Sequence, residues 1–209
     1  MKAKATVAII DYGAGNLRSV ANAVTRLGYQ PVVTDKPAEV LRAPAVILPG
    51  VGAAADTMTG LVRTEMAETV RRLIEDDRPL FAVCVGLQIL LTNTEEGGGY
   101  ECLGVVPGVV RRLPDGLKIP HMGWNQVAQR RKQPLFKGIP DKANFYFVHS
   151  YYADPEDKSL VAATTDYGLP WCSVLVKGNL VATQFHPEKS GTLGLKMYEN
   201  FLKMVTGGE

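Results

Sequence analysis

The chain has 209 residues, 46% of them hydrophobic and 21% charged, with a formal net charge of +2. That length suits one well-filled domain and is marginal for two, and the small charge gives no argument for nucleic acid or an anionic membrane as partner. Three cysteines (Cys84, Cys102, Cys172) fit neither a disulfide framework nor a zinc ribbon, no apolar run has the length of a membrane span, and the N-terminus lacks a secretory signal, so a reduced cytoplasmic protein without a metal site is expected.

Strand and helix alternate through the first half. Residues 6–10 form a short apolar, β-branched run that Asp11 and Gly13 end. Leu17, Val20, Val24 and Leu27 recur at helical spacing until Gly28 stops them. Residues 31–34 and 45–48 read as strands. Leu61, Met66, Val70, Leu73 and Ile74 predict one amphipathic helix, residues 80–83 a strand, and residues 87–91 the helix after it. Such alternation implies parallel pairing. After Gly97-Gly98-Gly99 the pattern changes to strand-like runs at 105–106, 109–110, 125–127, 145–148 and 160–162. Residues 171–176 and 180–185 flank Lys177-Gly178-Asn179 as a hairpin. Leu195, Tyr198, Leu202 and Val205 make a last helical stripe. The expected fold is one α/β domain over residues 1–209: a mixed, mainly parallel sheet with helices on both faces and an antiparallel extension.

Three segments carry candidate chemistry, each at the predicted C-terminal end of a strand, where ligands bind in open α/β sheets. In Val46-Ile47-Leu48-Pro49-Gly50-Val51-Gly52 a buried-type strand enters a Pro-Gly-x-Gly loop. Such a loop can aim backbone N–H groups at a developing negative charge. In residues 79–88 an apolar run leads into Cys84, with Gly86 two residues later. That is the layout of a strand–nucleophile–helix elbow, with the sulfur at a helix N-terminus that favours an anion. On its own the segment reads equally as an inert buried cysteine. Residues 181–190 hold His186-Pro187-Glu188 after a strand. Residues two apart in an extended segment face the same side, so Glu188 can orient His186, and His186 can serve Cys84 as base.

The constellation resembles the class I (triad-type) glutamine amidotransferases, whose nucleophile lies in Cys-x-Gly-x-Gln and whose other triad members lie in His-Pro-Glu. Residues 11–20, opening Asp-Tyr-Gly-Ala-Gly-Asn, and His121-Met122-Gly123-Trp124-Asn125 are similar to the glutaminase subunits of imidazole glycerol phosphate synthase. Ala82 stands where the family often has Gly, and Val85 where it often has Leu, which bears on the backbone at the turn. The resemblance implies a glutaminase without cofactor. Its oxyanion site would be formed by Gly50, Val51, Gly52 and Val85. Glutamine would be bound by Gln88, Glu96, Ser150 and Tyr151, with Glu95 adjoining Glu96. It also implies a (β/α)8-barrel cyclase as heterodimer partner, with Asn16, Pro120, Met122, Trp124, Tyr146 and Lys189 at or near that interface. From sequence alone Trp124 is equally a core residue, and the His149 side chain is expected to be structural. Other readings are a glutaminase subunit of anthranilate, aminodeoxychorismate or pyridoxal phosphate synthesis, a different hydrolase or chaperone with a cysteine elbow, and a silent binding module.

Overall fold

The computed structural model describes residues 5–207 of the chain. In chain order it contains β1 (Thr6–Ile10), α1 (Leu17–Arg26), β2 (Gln30–Thr34), α2 (Pro37–Arg42), β3 (Ala45–Leu48), α3 (Ala54–Arg63), α4 (Met66–Glu75), β4 (Leu80–Val83) and α5 (Val85–Gln88). There follow β5 (Asn93–Thr94), β6 (Tyr100–Glu101), β7 (Gly108–Arg112), β8 (His121–Gln129), β9 (Ala143–His149), β10 (Tyr151–Pro155), β11 (Val161–Asp166), β12 (Pro170–Lys177), β13 (Leu180–Thr183) and α6 (Gly191–Thr206).

A parallel core runs in the order β2-β1-β3-β4-β13. Its inner strands are continuous apolar runs because both faces are covered: every residue of β3, β4 and β13 is buried. β2 lies at the edge, where Pro31 costs no ladder bond. Beyond β13 the pairing turns antiparallel through β12, β10 and β7. β11 joins β12 to β8, and β8 pairs with β9. Phe81 of β4 packs against Tyr198 (tilted) and Phe201 (edge-on) of α6, at 4.9 and 5.2 Å between ring centroids. Burying each such ring contributes about 2–3 kcal/mol, and the contact holds α6 against β4.

Several local expectations are corrected. The single helix expected over Leu61 to Ile74 is two, α3 and α4, because Glu65 takes a left-handed conformation (φ 58°) between them. The helix after Cys84 ends at Gln88. Leu90 instead accepts hydrogen bonds from the Val105 and Val106 amides, which makes residues 105–106 a bend rather than a strand. Leu160 ends a 3-10 turn, and the strand begins at Val161. Among the described residues no helix is long and apolar enough to cross a membrane.

Candidate active site

Strands β3, β4 and β13 lie side by side in register, Leu48 opposite Ala82 and Ala82 opposite Ala182, so the loops leaving their C-terminal ends converge. At the end of β4 the chain turns sharply. Cys84 has φ 54° and ψ −108°, a conformation that a side chain adopts only where its surroundings enforce it. Its N–H donates to the Thr183 carbonyl at 2.7 Å, and its own carbonyl accepts from the Leu87 and Gln88 amides. Gly86 is required by the neighbouring strand more than by its own. A Cβ there would stand 2.9 Å from the Leu48 oxygen, and one on Gly50 would stand 2.4 Å from the Gly86 nitrogen. The elbow and the Pro49–Gly52 loop therefore cross through two glycines. The Ala82 methyl would lie 3.4 Å from a Gly86 Cβ, so Ala82 is accommodated, and Val85 sits within helical backbone.

His186 and Glu188 meet, but not by strand alternation. β13 ends at Thr183, and Pro187–Lys189 is a 3-10 turn that folds Glu188 back so that its Oε1 lies 2.9 Å from His186 Nδ1. Pro187 at the start of that turn has no N–H to leave unpaired. The His186 N–H donates to the Tyr146 carbonyl, and the Ser190 hydroxyl donates to the His186 carbonyl, which fixes the turn to β9. Tyr198 of α6 donates its hydroxyl to the other Glu188 oxygen at 3.4 Å. Both the His186 and Glu188 side chains are nearly solvent-free. Burial opposes the imidazolium, yet hydrogen bonds with Cys84 and Glu188 outweigh it and raise His186 to about 9. A thiol, an imidazole and a carboxylate in a row can carry out nucleophilic acyl transfer.

The elbow opens on a cavity of about 380 Å³. Of the expected substrate contacts, Gln88, Glu96, Ser150 and Tyr151 all line it, as do Val51, Gly52 and Val85 of the expected oxyanion site. Gly50 does not line it; the loop's contact with the elbow uses Gly50 as the crossing point instead. Glu95 and Glu96 differ in side-chain direction. Glu96 accepts from the Ala54 amide at the cavity side, whereas Glu95 turns to the Arg112 amide and the Arg111 guanidinium. Of the residues expected near a partner, Pro120 and Lys189 also line the cavity. Met122 and Trp124 project outward from β8, with Trp124 57% exposed, so Trp124 is not a core residue. Tyr146 meets it edge-on at 6.0 Å between ring centroids, and Asn16 is half-buried at the start of α1.

Buried polar groups beside the cavity left little mark in the sequence. Gln184, fully buried, reaches Cys84, and His121 pairs with His149. The one available signal was Gln184 two residues before His186, on a strand tail already expected to face the site. His149 is structural, as expected: it bonds through both ring nitrogens, and burial lowers it to about 3. Burial pushes the other thiols up, Cys102 to about 11 and Cys172 to about 12, which leaves them protonated packing groups. Among the described residues no group of three or more His, Cys, Asp or Glu is placed to hold a metal ion.

Residues 8–205 match the family model described as glutamine amidotransferase class-I. The chain is 58% identical over 201 residues to the imidazole glycerol phosphate synthase subunit HisH of Dehalococcoides mccartyi (strain CBDB1), covering 96% of this chain and 98% of that protein. It is 51% identical over 199 residues to the protein of the same name from Moorella thermoacetica, covering 95% of each. Among solved structures, that of PurLQS from Thermotoga maritima superposes with a TM-score of 0.76 at 19% identity, over 96% of this chain and 99% of the other, a likeness of fold. With a match of that extent lying over the elbow, the loop and the His-Pro-Glu turn, the chain belongs to the class I glutamine amidotransferases, and within them to the family of imidazole glycerol phosphate synthase subunit HisH.

Proposed function

We propose that this chain, as one glutaminase domain, hydrolyses the side-chain amide of glutamine and passes the ammonia to a (β/α)8-barrel cyclase subunit. The cyclase makes imidazole glycerol phosphate and aminoimidazole carboxamide ribotide in the cytoplasmic synthesis of histidine. The observation that carries the reading is the strained Cys84 elbow facing His186 and Glu188 at the floor of a cavity lined by Gln88 and Glu96. An amide is a poor electrophile with a poor leaving group, and a covalent route divides the difficulty into two steps. His186 takes the Cys84 proton, and the sulfur bonds to the amide carbon. The carbonyl oxygen becomes an oxyanion held by backbone N–H groups of Val85 and the Val51–Gly52 loop. Collapse breaks the C–N bond as His186 returns the proton to the leaving ammonia. Water, deprotonated by His186, then cleaves the thioester to glutamate and restores the thiol.

Losing one oxyanion donor typically lowers the rate about 100-fold or more, so the loop that supplies it can regulate turnover. The Val51–Gly52 peptide completes the oxyanion site when the loaded partner docks over Asn16, Pro120, Met122, Trp124, Tyr146 and Lys189. Ammonia release from glutamine by the purified chain, alone and with a cyclase carrying its nucleotide ligand, tests the reading, with Cys84→Ala as control. Release that rises strongly with the loaded partner and vanishes in Cys84→Ala is the expected result. Release indifferent to that partner points to another synthase, and none under any condition to a binding module.

A further inference from the structure

Gln184 has no role in the mechanism above, yet its side chain is fully buried and its Nε2 lies 3.6 Å from Cys84 Sγ. A buried amide could present either its oxygen or its nitrogen to the sulfur, and the surrounding bonds decide which. The Tyr151 carbonyl can only accept, so the Gln88 atom 2.8 Å from it is nitrogen. That same nitrogen lies 3.1 Å from Gln184, whose facing atom must then be oxygen. Only the Gln184 nitrogen remains for the sulfur, so its N–H points at Cys84.

The direction is reinforced from the far side. The Tyr151 carbonyl also accepts from His149 Nδ1 at 2.8 Å, which leaves His149 Nε2 as the acceptor for His121 Nδ1 at 2.9 Å. His121 Nε2 in turn faces the Asn125 amide nitrogen, which also donates to the Asp166 carbonyl. Every group in this chain has one consistent assignment, and it ends at the sulfur. On another side of the sulfur, the Val148 carbonyl oxygen stands 3.9 Å away, a partner for a thiol and an opponent of an anion.

We propose that the Gln184 amide is a fixed hydrogen-bond donor to the Cys84 sulfur, holding it for attack and stabilising it as the thiolate. Donation to a charged acceptor is worth more than donation to a neutral one, so Gln184 acts on the ionised nucleophile and offsets the Val148 carbonyl. The proposal rests on Cys84 being the nucleophile. Its test does not use glutamine turnover, so it can fail while the Cys84→Ala result stands.

The test is the rate of iodoacetamide alkylation at the Cys84 peptide, followed by mass spectrometry across pH, in the full chain. In Gln184→Met, of similar shape but no donor, alkylation at neutral pH should fall about tenfold and rejoin the wild-type rate at alkaline pH. Gln184→Glu should lose more. A profile that superposes on wild type, or one slowed equally at every pH, overturns the proposal, because a merely structural Gln184 changes access and not ionisation. Should neither variant fold, the wild-type Gln184 side-chain amide proton resonance decides: a proton donated to the sulfur moves strongly downfield as Cys84 ionises, and one turned away from it does not.

Discussion

Gly50→Ala puts a methyl group where the loop crosses the elbow. The new Cβ would lie 2.4 Å from the Gly86 nitrogen, 2.6 Å from the Val83 oxygen and 3.0 Å from the Val85 carbonyl carbon. Ordinary contacts between such atoms are about 3.5 Å or more, so the overlap is roughly 1 Å. All three obstacles are backbone atoms of the elbow, and no rotamer change relieves them. The loop and the elbow must move apart by a distance of that order. Overpacking of this kind costs about 1–3 kcal/mol of stability. A displacement of about 1 Å at a reacting centre costs on the order of 100-fold in rate. Urea unfolding and partner-stimulated ammonia release, measured on one preparation, should both register the change. Gly116→Ala is the control. Gly116 has φ +87° with nothing within 4 Å of its Cβ position. That variant should cost about 1–2 kcal/mol through backbone strain alone and leave turnover unchanged. Wild-type turnover in Gly50→Ala, or an equal turnover loss in Gly116→Ala, would refute the argument that the crossing sets the geometry of the elbow.

The buried His149 makes stability sensitive to acid. Its folded-state value, about 3, lies below the ordinary 6.5, so the unfolded chain takes up the proton first as pH falls. Stability should therefore decline from about pH 6.5 downward, by up to about 1.4 kcal/mol per pH unit from this group. His121, also lowered by burial, contributes in the same direction. Urea midpoints at neutral and mildly acidic pH should converge in His149→Gln; an unchanged slope would assign the acid sensitivity elsewhere. Trp124→Ala removes an exposed ring that, among the described aromatic residues, contacts Tyr146 alone. It should shift stability by less than about 0.5 kcal/mol while weakening cyclase binding about tenfold or more, as central aromatic residues of interfaces do. Titration calorimetry with the cyclase would show the second effect, and unaltered affinity would remove Trp124 from the interface.

The parts of the fold legible in the sequence were those governed by burial on both faces. β1, β3 and β4 fall on the expected runs residue for residue, because a central parallel strand has no polar face and reads as uninterrupted apolar sequence. The break between α3 and α4 was not legible: Glu65 adopts a left-handed conformation that no glycine announces, and the apolar spacing continues across it. The same holds for Val105 and Val106, whose amides bond to Leu90 and so leave the strand pattern that their side chains suggest.

At the site, residue type and spacing made Cys84, His186 and Glu188 candidates, and the resemblance to the class I glutamine amidotransferases joined them as a triad. What brought them together was decided elsewhere. The His186–Glu188 contact depends on a 3-10 turn held by Tyr146, Ser190 and Tyr198, three residues from two other elements and the turn's own end. The division between Glu96 in the cavity and Glu95 outside it depends on which backbone amide each carboxylate meets, Ala54 or Arg112. Gln184 gains its direction only from Gln88 and Tyr151, distant in sequence. Local pattern thus determined which chemistry this chain carries, because side-chain type and strand burial are properties of a few consecutive residues. The tertiary structure alone decided where each polar group points, because a buried hydrogen bond is defined by a partner that the neighbouring sequence does not contain.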